Sequence, residues 1–213
     1  MVLRLVTTLV VTALGFERAA FRHLARLPGW RVASTGVGPA RASEGLAQLL
    51  RGERPALVVG AGVCGALDPG LRLGDLVLPR EAVTADGGCE PIALDGALCH
   101  LARRFAEVRG STAHIGGRIV SVERIASTPA DKRELARRIG AAAVDQETFA
   151  WARVAREAGV PFVAVRVVLD EAGEPLASWR PSAWRSALRL PSRALRARDT
   201  LRAFGREWPC WRS

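Results

Sequence analysis

Three carboxylates stand directly after segments that are predicted to be buried strands. Asp145 and Glu147 follow the apolar run 141–144, and Asp170 closes the apolar run 161–169. Burying a carboxylate is costly because desolvation opposes its charge. Ligands of open α/β sheets bind at the carboxyl ends of the strands. These acids are therefore candidate site residues, and the alternative interpretation is that they only cap strand ends and turns.

Helix and strand patterns alternate along the chain, and this alternation predicts how the acids are held. Predicted strands cover 2–11, 30–35, 56–59, 141–144 and 161–169, and predicted helices cover 17–27, 40–51, 94–108, 130–139 and 147–158. One or two strands are predicted over 75–85, and 115–125 is strand-like with a bulge or tight bend at Gly116-Gly117. The pattern is typical of an α/β fold with three layers, α/β/α, around a central mixed sheet. We expect one domain over residues 1–175, followed by a basic tail rich in tryptophan and arginine over residues 176–213.

Composition indicates a globular protein of a reducing compartment. The 213 residues are 49% apolar and 24% charged, and the net charge of +10 comes mostly from arginine. A basic chain suits nucleic acid, but we find no basic run interleaved with aromatic residues before the tail and no nucleic-acid-binding signature, so no nucleic-acid partner is expected. The four cysteines form no CxxC pair and the histidines lack ligand spacing, so neither a disulfide framework nor a metal site is expected.

The N-terminal run 2–15 has two interpretations. One positive charge followed by apolar residues faintly resembles a signal peptide. The β-branched valines and threonines of the run favour a buried first strand instead. No run is long and apolar enough to span a bilayer, and we expect a cytoplasmic protein.

A glycine-rich motif invites a dinucleotide-binding interpretation. Residues 60–65 read GxGxxG after a predicted strand, and Glu81 lies where a ribose-binding acid could stand. The third glycine of such a motif should open a helix whose N-terminus faces the pyrophosphate. Here it leads into Pro69-Gly70 and Gly74-Asp75, which mark turns between strands. The context therefore argues against a dinucleotide site.

Four segments keep the order and spacing of one enzyme family. They are Thr12–Glu17, Gly62–Pro79, Val144–Ala150 and Gly159–Asp170. The second leads through a glycine-rich stretch to Gly-Asp-Leu-Val, the third resembles a V-(D/E)-M-E-x-x-A ribose-binding segment, and the fourth resembles GVPF-x-x-(V/I)-R-x-(I/V)-S-D. Together they resemble the nucleoside phosphorylase and nucleosidase superfamily over residues 5–170. The core resembles that of the methylthioadenosine/adenosylhomocysteine nucleosidases.

The resemblance implies catalytic and ribose-binding roles for four residues. Cleavage of an N-glycosidic bond passes through an oxocarbenium-like state, and the purine must leave as a neutral base. Asp170 would protonate purine N7, which requires a raised pKa in a largely dry pocket. Glu17 would position or deprotonate the attacking water. Glu147 would hold the ribose hydroxyls, and Gln146 stands where the family has a methionine beneath the ribose.

The resemblance also places the base and excludes cofactors. It puts the purine against Ile125, Cys64 and Gly65, with no metal or redox cofactor. Leu169 stands where the family has a serine beside the acid. Phosphorolytic members bind phosphate through an arginine and a serine, whereas the matching positions here are Gly60 and Val63. An apolar side chain cannot donate to phosphate, so hydrolysis is favoured.

We therefore expect a purine nucleosidase that releases adenine from a 5′-substituted adenosine, acting as a homo-oligomer such as a homodimer. Two alternatives stay open. One is a phosphate-dependent purine nucleoside phosphorylase. The other is a degenerate protein that binds a nucleoside or an anionic lipid without turnover.

The tail suggests where the substrate comes from. It interleaves tryptophans and arginines, with Pro181, Pro191 and Pro209 dividing it into short pieces. Such a segment suits an anionic membrane surface, at the inner face for a cytoplasmic protein. An ordinary helix packed on the domain is the equal alternative. The tail resembles that of the hopanoid-associated branch of the superfamily, which would imply the lipid-linked nucleoside adenosylhopane as substrate.

Overall fold

One mixed sheet of ten strands carries the fold of this computed structural model, which describes residues 8–124, 126–174 and 190–212. The strands are β1 (Thr8–Thr12), β2 (Trp30–Ser34), β3 (Leu57–Ala66), β4 (Leu76–Leu78), β5 (Glu81–Thr84), β6 (Cys89–Pro91), β7 (Ala113–Ile115), β8 (Arg118–Ser121), β9 (Ala143–Asp145) and β10 (Phe162–Asp170). The helices are α1 (Gly15–Ala20), α2 (Pro39–Gly52), α3 (Gly96–Arg109), α4 (Pro129–Ile139), α5 (Thr148–Glu157) and α6 (Leu190–Arg212).

Strands β3 and β10 form the centre of the sheet. They pair in parallel along almost their whole lengths, and the strand order across the sheet is β6-β5-β8-β9-β3-β10-β4-β7. The other edge of β3 pairs first with β1, in parallel, and then with β9, antiparallel. Helices α2 and α5 pack on one face, and α1, α3 and α6 pack on the other. The expected three-layer α/β/α fold with a mixed sheet is confirmed.

The glycine-rich motif lies inside β3, which extends well beyond the predicted strand 56–59. A β-carbon at Gly60 would lie 2.7 Å from the Phe162 ring and 2.9 Å from the Trp151 ring. Glycine therefore allows β10 and α5 to pack closely against this strand. Because the motif forms a strand and opens no helix, the structure agrees with the argument against a dinucleotide site.

The end of β10 contains an irregularity that places its last acid. Val168 pairs with Cys64, yet Asp170 pairs with Gly65, so Leu169 is an extra residue on the β10 side. Bulges of this kind re-aim the side chain that follows them. The register shift brings the Asp170 carboxyl over Gly65.

Two predicted elements were wrong in their bounds. The helix predicted over 17–27 ends at Ala20 and is followed by a 3₁₀ turn over Leu24–Arg26. This break turns both Phe21 and Leu24 into the core, where neither is exposed.

The strand-like region predicted over 115–125, with its bulge or tight bend, was wrong in its end, since the last strand residue is Ser121. It is interrupted by Gly116 and Gly117, whose φ angles of +90° and +69° form a turn between β7 and β8. The region 75–85 is two strands, and β6 was not predicted at all. The bend predicted at the two glycines is confirmed, and glycine suits it because positive φ costs glycine little.

The described part of the tail is one helix, α6, which packs on the domain. Its buried side chains are Ala197, Leu201, Phe204 and Trp208. The Trp208 ring stacks on Phe21 with 4.9 Å between centroids. The expectation that prolines break this segment was wrong for Pro191 and Pro209, since the first lies in the first turn, where no amide donor is needed, and the second lies in the last turn.

The remaining tail residues 175–189, with Pro181, lie outside the described residues, as do residues 1–7 and Ile125. Among the described residues, no helix has the length and apolar character needed to cross a membrane.

Candidate active site

Glu17 lies at the start of α1, directly behind the end of β1. Its side chain is 1% exposed. Oε2 accepts hydrogen bonds from the backbone amides of Ala13 (3.0 Å) and Leu14 (2.8 Å), and Oε1 accepts one from Val63 (2.9 Å). Burial raises the pKa of Glu17, while the charge of Arg166 and the three amides oppose that rise. The carboxyl is thus fixed where β1 meets β3.

Arg166 projects from the middle of β10 and is completely buried. Its Nη2 lies 2.7 Å from Asp145 Oδ2 and donates to Thr148 Oγ1 at 2.7 Å, and Nε donates to the same hydroxyl at 3.0 Å. The guanidinium carbon lies 4.8 Å from the centre of the Trp151 ring. These contacts hold the guanidinium plane rigidly, with one edge committed to the protein.

The other edge of Arg166 faces Glu17. Nη1 is buried and has no hydrogen-bond partner among the described residues. A β-carbon at Gly62 would lie 2.5 Å from this Nη1 and 2.6 Å from Glu17 Oε1. An unsatisfied donor beside a buried carboxylate is costly unless a polar ligand or water joins them. This corner of the site can therefore bind and orient one small polar molecule.

Asp145 acts as the anchor of Arg166. Besides the guanidinium, it accepts a hydrogen bond from Ser121 Oγ at 2.6 Å and interacts with the amide and hydroxyl of Thr148. Ser121 Oγ in turn accepts from the Phe149 amide at 3.0 Å. Both carboxylate oxygens of Asp145 thus accept hydrogen bonds from the protein, so this acid holds Arg166 and Thr148 in place.

Glu147 immediately precedes α5 and is 6% exposed. Its Oε1 accepts a hydrogen bond of 2.8 Å from the amide of Gly38, at the start of α2. Burial raises the pKa of Glu147 to about 7, the charge of Asp145 adds to the rise, and the charge of Arg166 opposes it. The carboxyl is thus a buried acceptor that can bind hydroxyl groups.

The side chain of Gln146 contacts the loop that follows β8. Its side-chain amide donates to the backbone carbonyl of Glu123 at 2.8 Å, on the loop that follows β8. Ile125, two residues further along this loop, is outside the described residues. The predicted ribose contact of Gln146 and the predicted base contact of Ile125 both stay predictions.

Asp170 ends β10 and is 3% exposed. The ammonium group of Lys132, on α4, forms an ion pair with Oδ2 of Asp170. Burial raises the pKa of Asp170, and the charge of Lys132 is the main opposing influence. A β-carbon at Gly65 would lie 3.2 Å from Oδ2 and 3.3 Å from Oδ1, so glycine leaves room for the carboxyl over the strand.

Cys64 lies beside these groups but is not a nucleophile. Its side chain is 3% exposed, and burial raises the pKa of the thiol well above its usual range. A thiol reacts as the thiolate, so the neutral Cys64 is inert and can offer only packing. Cys64 and Gly65, which were predicted to pack against the base, thus lie on β3 next to Asp170 at the end of β10.

Strand β3 connects the two ends of the site. Glu17 and Arg166 meet at Gly62, and Asp170 lies over Gly65. An extended strand rises about 3.3 Å per residue, so these two points are about 10 Å apart. The arrangement places a carboxylate with an arginine at one end and a carboxylic acid with a lysine at the other.

Two residues of the site were missed as functional candidates. Arg166 belongs to the segment Gly159–Asp170, but no role was predicted for it. A charged residue within an apolar strand nevertheless indicates a buried partner. Lys132 lies in a helix whose pattern is otherwise polar and charged, so only the packing of α4 reveals it. A second signal was present in the composition, because Lys132 is the only lysine of the chain.

Comparison with known proteins agrees with this geometry. The family model of the phosphorylase superfamily matches residues 26–186. The 5′-methylthioadenosine/S-adenosylhomocysteine nucleosidase of Actinobacillus succinogenes is 31% identical over 173 residues, covering 70% of this chain and 73% of that protein. The futalosine hydrolase of Streptomyces coelicolor is 31% identical over 210 residues, covering 81% of this chain and 87% of that protein.

Solved structures show the same fold. The Helicobacter pylori 5′-methylthioadenosine/S-adenosylhomocysteine nucleosidase, complexed with a substituted pyrrolidin-3-ol, superposes with a TM-score of 0.77 at 18% identity and covers 96% of this chain and 98% of its own. The futalosine hydrolase of the same organism gives the same TM-score, identity and coverage. These comparisons do not support the narrower resemblance to the hopanoid-associated branch. From the family model and the relatives, the chain belongs to the phosphorylase superfamily.

Proposed function

We propose that this protein is a purine nucleosidase that hydrolyses the N-glycosidic bond of a 5′-substituted adenosine and releases adenine. One observation carries the proposal. Two buried carboxyl groups, each facing one buried cation, lie at separate points of the same glycine-lined strand. Hydrolysis of a glycosidic bond uses such a pair, one carboxyl serving the leaving group and the other serving the water.

The leaving-group end is Asp170. A purine leaves more easily when N7 is protonated, because the electrons of the broken C1′–N9 bond then produce a neutral base. Burial raises the pKa of Asp170, which favours the protonated form that can donate. Asp170 would donate to N7, with the base lying beside Gly65 and Cys64.

The water end is the corner between Glu17 and Arg166. Nη1 of Arg166 has no partner among the described residues and can donate to a water oxygen, and Glu17 Oε1 can accept a proton from that water. Attack on C1′ transfers this proton to Glu17 as the oxygen bonds to carbon. The raised pKa of Glu17 suits a base that must hold a proton after the step.

The sugar would be held by Glu147. A carboxylate can accept hydrogen bonds from two hydroxyl groups at once, and the 2′ and 3′ hydroxyls of a ribose are suitably adjacent donors. Oε1 of Glu147 already accepts from Gly38, which fixes the carboxyl orientation. The ribose would thus be positioned between the two ends of the site.

Phosphate does not suit the water corner. A phosphorylase must bind an anion there, but the Val63 amide donates to Glu17, and the negative charge of Glu17 would repel phosphate. Gly60 cannot carry a phosphate-binding side chain, because its β-carbon would collide with Phe162. These contacts favour hydrolysis over phosphorolysis.

The 5′ substituent is proposed from two sources. The relatives named above are nucleosidases of 5′-methylthioadenosine and S-adenosylhomocysteine and a hydrolase of futalosine.

Adenosylhopane is a second candidate because α6 exposes a basic face with an apolar side chain, formed by Leu195, Arg196, Arg202 and Arg206. That face could approach an anionic membrane from the cytoplasmic side. Binding to anionic vesicles that weakens with salt would support the lipid substrate. If the protein does not bind such vesicles, adenosylhopane is no longer a candidate.

A substrate panel tests the proposal. The protein is incubated with adenosine, 5′-methylthioadenosine, S-adenosylhomocysteine, futalosine and adenosylhopane, and released base is quantified by chromatography. We expect adenine from at least one 5′-substituted adenosine, with Glu17→Gln strongly impaired on the same substrate. Binding of the panel without any base release would instead support a degenerate binding protein.

A further inference from the structure

Lys132 is unusual in this chain in both type and place. It is the only lysine among 31 lysines and arginines. Its side chain is 1% exposed, whereas Arg133 and Arg137 on the same helix are exposed. A cationic side chain is almost never fully buried unless it is paired. The only lysine of this arginine-rich protein therefore lies at a buried position where it must be paired with an anionic or polar group.

Lys132 donates hydrogen bonds to two residues at the acid end of the site. Its ammonium donates to Asp170 Oδ2 and to the backbone carbonyl of Glu171 at 2.7 Å. The hydrogen bonds that described residues give to Asp170 go to Oδ2 alone. The carboxyl is thus held by one oxygen, and Oδ1 remains for a ligand above Gly65.

Stability alone does not explain this pair. Replacing a buried ion pair by apolar groups of similar volume is often neutral or stabilising, because desolvation offsets the attraction. The pair also has a geometric requirement that arginine would not meet, since a guanidinium carries five donors in a rigid fork and an ammonium is a compact charge on a flexible stem. A single accepting oxygen and one carbonyl suit the ammonium.

We propose that Lys132 is a positioning residue for cleavage: it holds Asp170 by Oδ2, directs Oδ1 to the leaving base, and sets the pH range in which Asp170 can donate. The inference rests on the proposed nucleosidase function. Lys132 acts through Asp170 and does not contact the reacting atoms. The proton that reaches N7 comes from Asp170, which becomes a carboxylate paired with the lysine, and the solvent restores its proton after the base leaves.

The charge of Lys132 has a definite effect on the pH profile. It lowers the pKa of Asp170 against the rise caused by burial. Arg193 of α6 also lowers this pKa, and Glu174, which is paired with Arg193, raises it. Removing the charge of Lys132 would raise the pKa of Asp170 further, so the protonated acid would persist to higher pH. Donation is lost as pH rises through the pKa of Asp170, and the alkaline limb of kcat/KM would therefore move to higher pH.

The first test compares pH profiles of wild type, Lys132→Met and Arg133→Met on the best substrate of the panel. Lys132→Met should move the alkaline limb upward and lower kcat on the order of 10²-fold, the cost of a misplaced catalytic group. Arg133→Met removes the same charge from the exposed neighbouring position and should change neither. An unmoved limb in Lys132→Met would overturn the inference.

A double variant separates positioning from folding. If Lys132 acts through Asp170, adding Lys132→Met to Asp170→Asn should lower kcat little further, because the two losses are coupled. Fully multiplicative losses would show that Lys132 acts independently of the acid. Thermal unfolding of each variant shows whether the protein is folded at the assay temperature.

The single lysine also permits a test without turnover. Protein labelled with ¹⁵N-lysine has one side-chain nitrogen signal, that of Lys132, and its ammonium protons should be protected from exchange by the ion pair. Asp170→Asn should shift this signal and speed the exchange, whereas Asp199→Asn at an exposed site should not. An identical signal in Asp170→Asn would refute the pairing. If the pairing holds but no nucleoside is cleaved, the proposed function fails and the positioning role fails with it.

Discussion

Asp170 is the residue to which we attribute the proton transfer to the leaving base. Asp170→Asn keeps the size of the side chain but cannot donate an acidic proton, so turnover should fall by about 10²–10⁴-fold while the protein stays folded. Base release and thermal unfolding measured on the same preparation check this expectation. Asp199→Asn, at an exposed position of α6, is the matched control. Near-normal turnover in Asp170→Asn would assign the proton to another group.

Glu147 gives the protein a pH-dependent stability. Burial raises its pKa in the folded protein to about 7, so the folded state binds this proton more tightly than the unfolded state. The resulting stabilisation is complete below the unfolded pKa and is lost as pH rises through the folded pKa. Urea denaturation should therefore give a lower free energy of unfolding at about pH 8 than at about pH 5.

Matched variants isolate this contribution. Glu147→Gln should reduce the difference between the two pH values, because a neutral amide does not titrate. Glu157→Gln, on the exposed side of the same helix, should leave the difference unchanged. An equally large difference in Glu147→Gln would mean that Glu17 and Asp170, whose pKa values are also raised, account for it.

Among the elements, β3 leaves room for the water corner because position 62 is a glycine. In Gly62→Ala the added carbon would meet both Arg166 Nη1 and Glu17 Oε1 at less than their van der Waals distances. Long side chains can move aside, so the fold should survive, and kcat/KM should fall on the order of 10²-fold because the water corner is displaced. Gly96→Ala, where no atom of another residue lies within 4 Å of the new carbon, should leave kcat/KM unchanged. Equal activity in both variants would contradict this function of β3.

Helix α6 completes the core on the face opposite α5. Phe204 is fully buried between the Phe105 and Trp208 rings, with centroid distances of 5.0 and 5.9 Å. Phe204→Ala should lower the free energy of unfolding by about 3–5 kcal/mol, as a cavity in a packed core does. Leu195→Ala, which is 49% exposed on the same helix, should stay within about 0.5 kcal/mol of wild type. Chemical denaturation measures both, and similar values would indicate that α6 is not part of the core.

Part of this arrangement can be predicted from sequence and part cannot. Acids directly after buried strands marked Asp145, Glu147 and Asp170 as candidate site residues. The pattern did not show that β9 pairs antiparallel with β3 while β10 pairs with it in parallel. The register shift at Leu169 was not, since a bulge depends on how β10 pairs with β3. The ion pair of Lys132 depends on the rotation of α4 about its axis, which the polar pattern of that helix does not specify.

At the scale of the whole molecule, charge is distributed in two ways. Among the described residues, the fully buried cationic side chains are Arg166 and Lys132, and each faces a proposed catalytic carboxyl. The other arginines contribute to a net charge of +10. Buried charges serve the site and exposed charges serve solubility and encounter with partners, so the basic character of the chain does not itself indicate nucleic acid.

The need for phosphate distinguishes hydrolysis from phosphorolysis. The best 5′-substituted adenosine of the panel is incubated in phosphate-free buffer and again with phosphate, and the base and the sugar product are identified by chromatography and mass spectrometry. We expect equal rates of adenine release in both buffers and a free sugar as the other product, because in our proposal Glu17 activates water and repels phosphate. Adenine release that requires phosphate and yields a sugar 1-phosphate would contradict it and identify a phosphorylase.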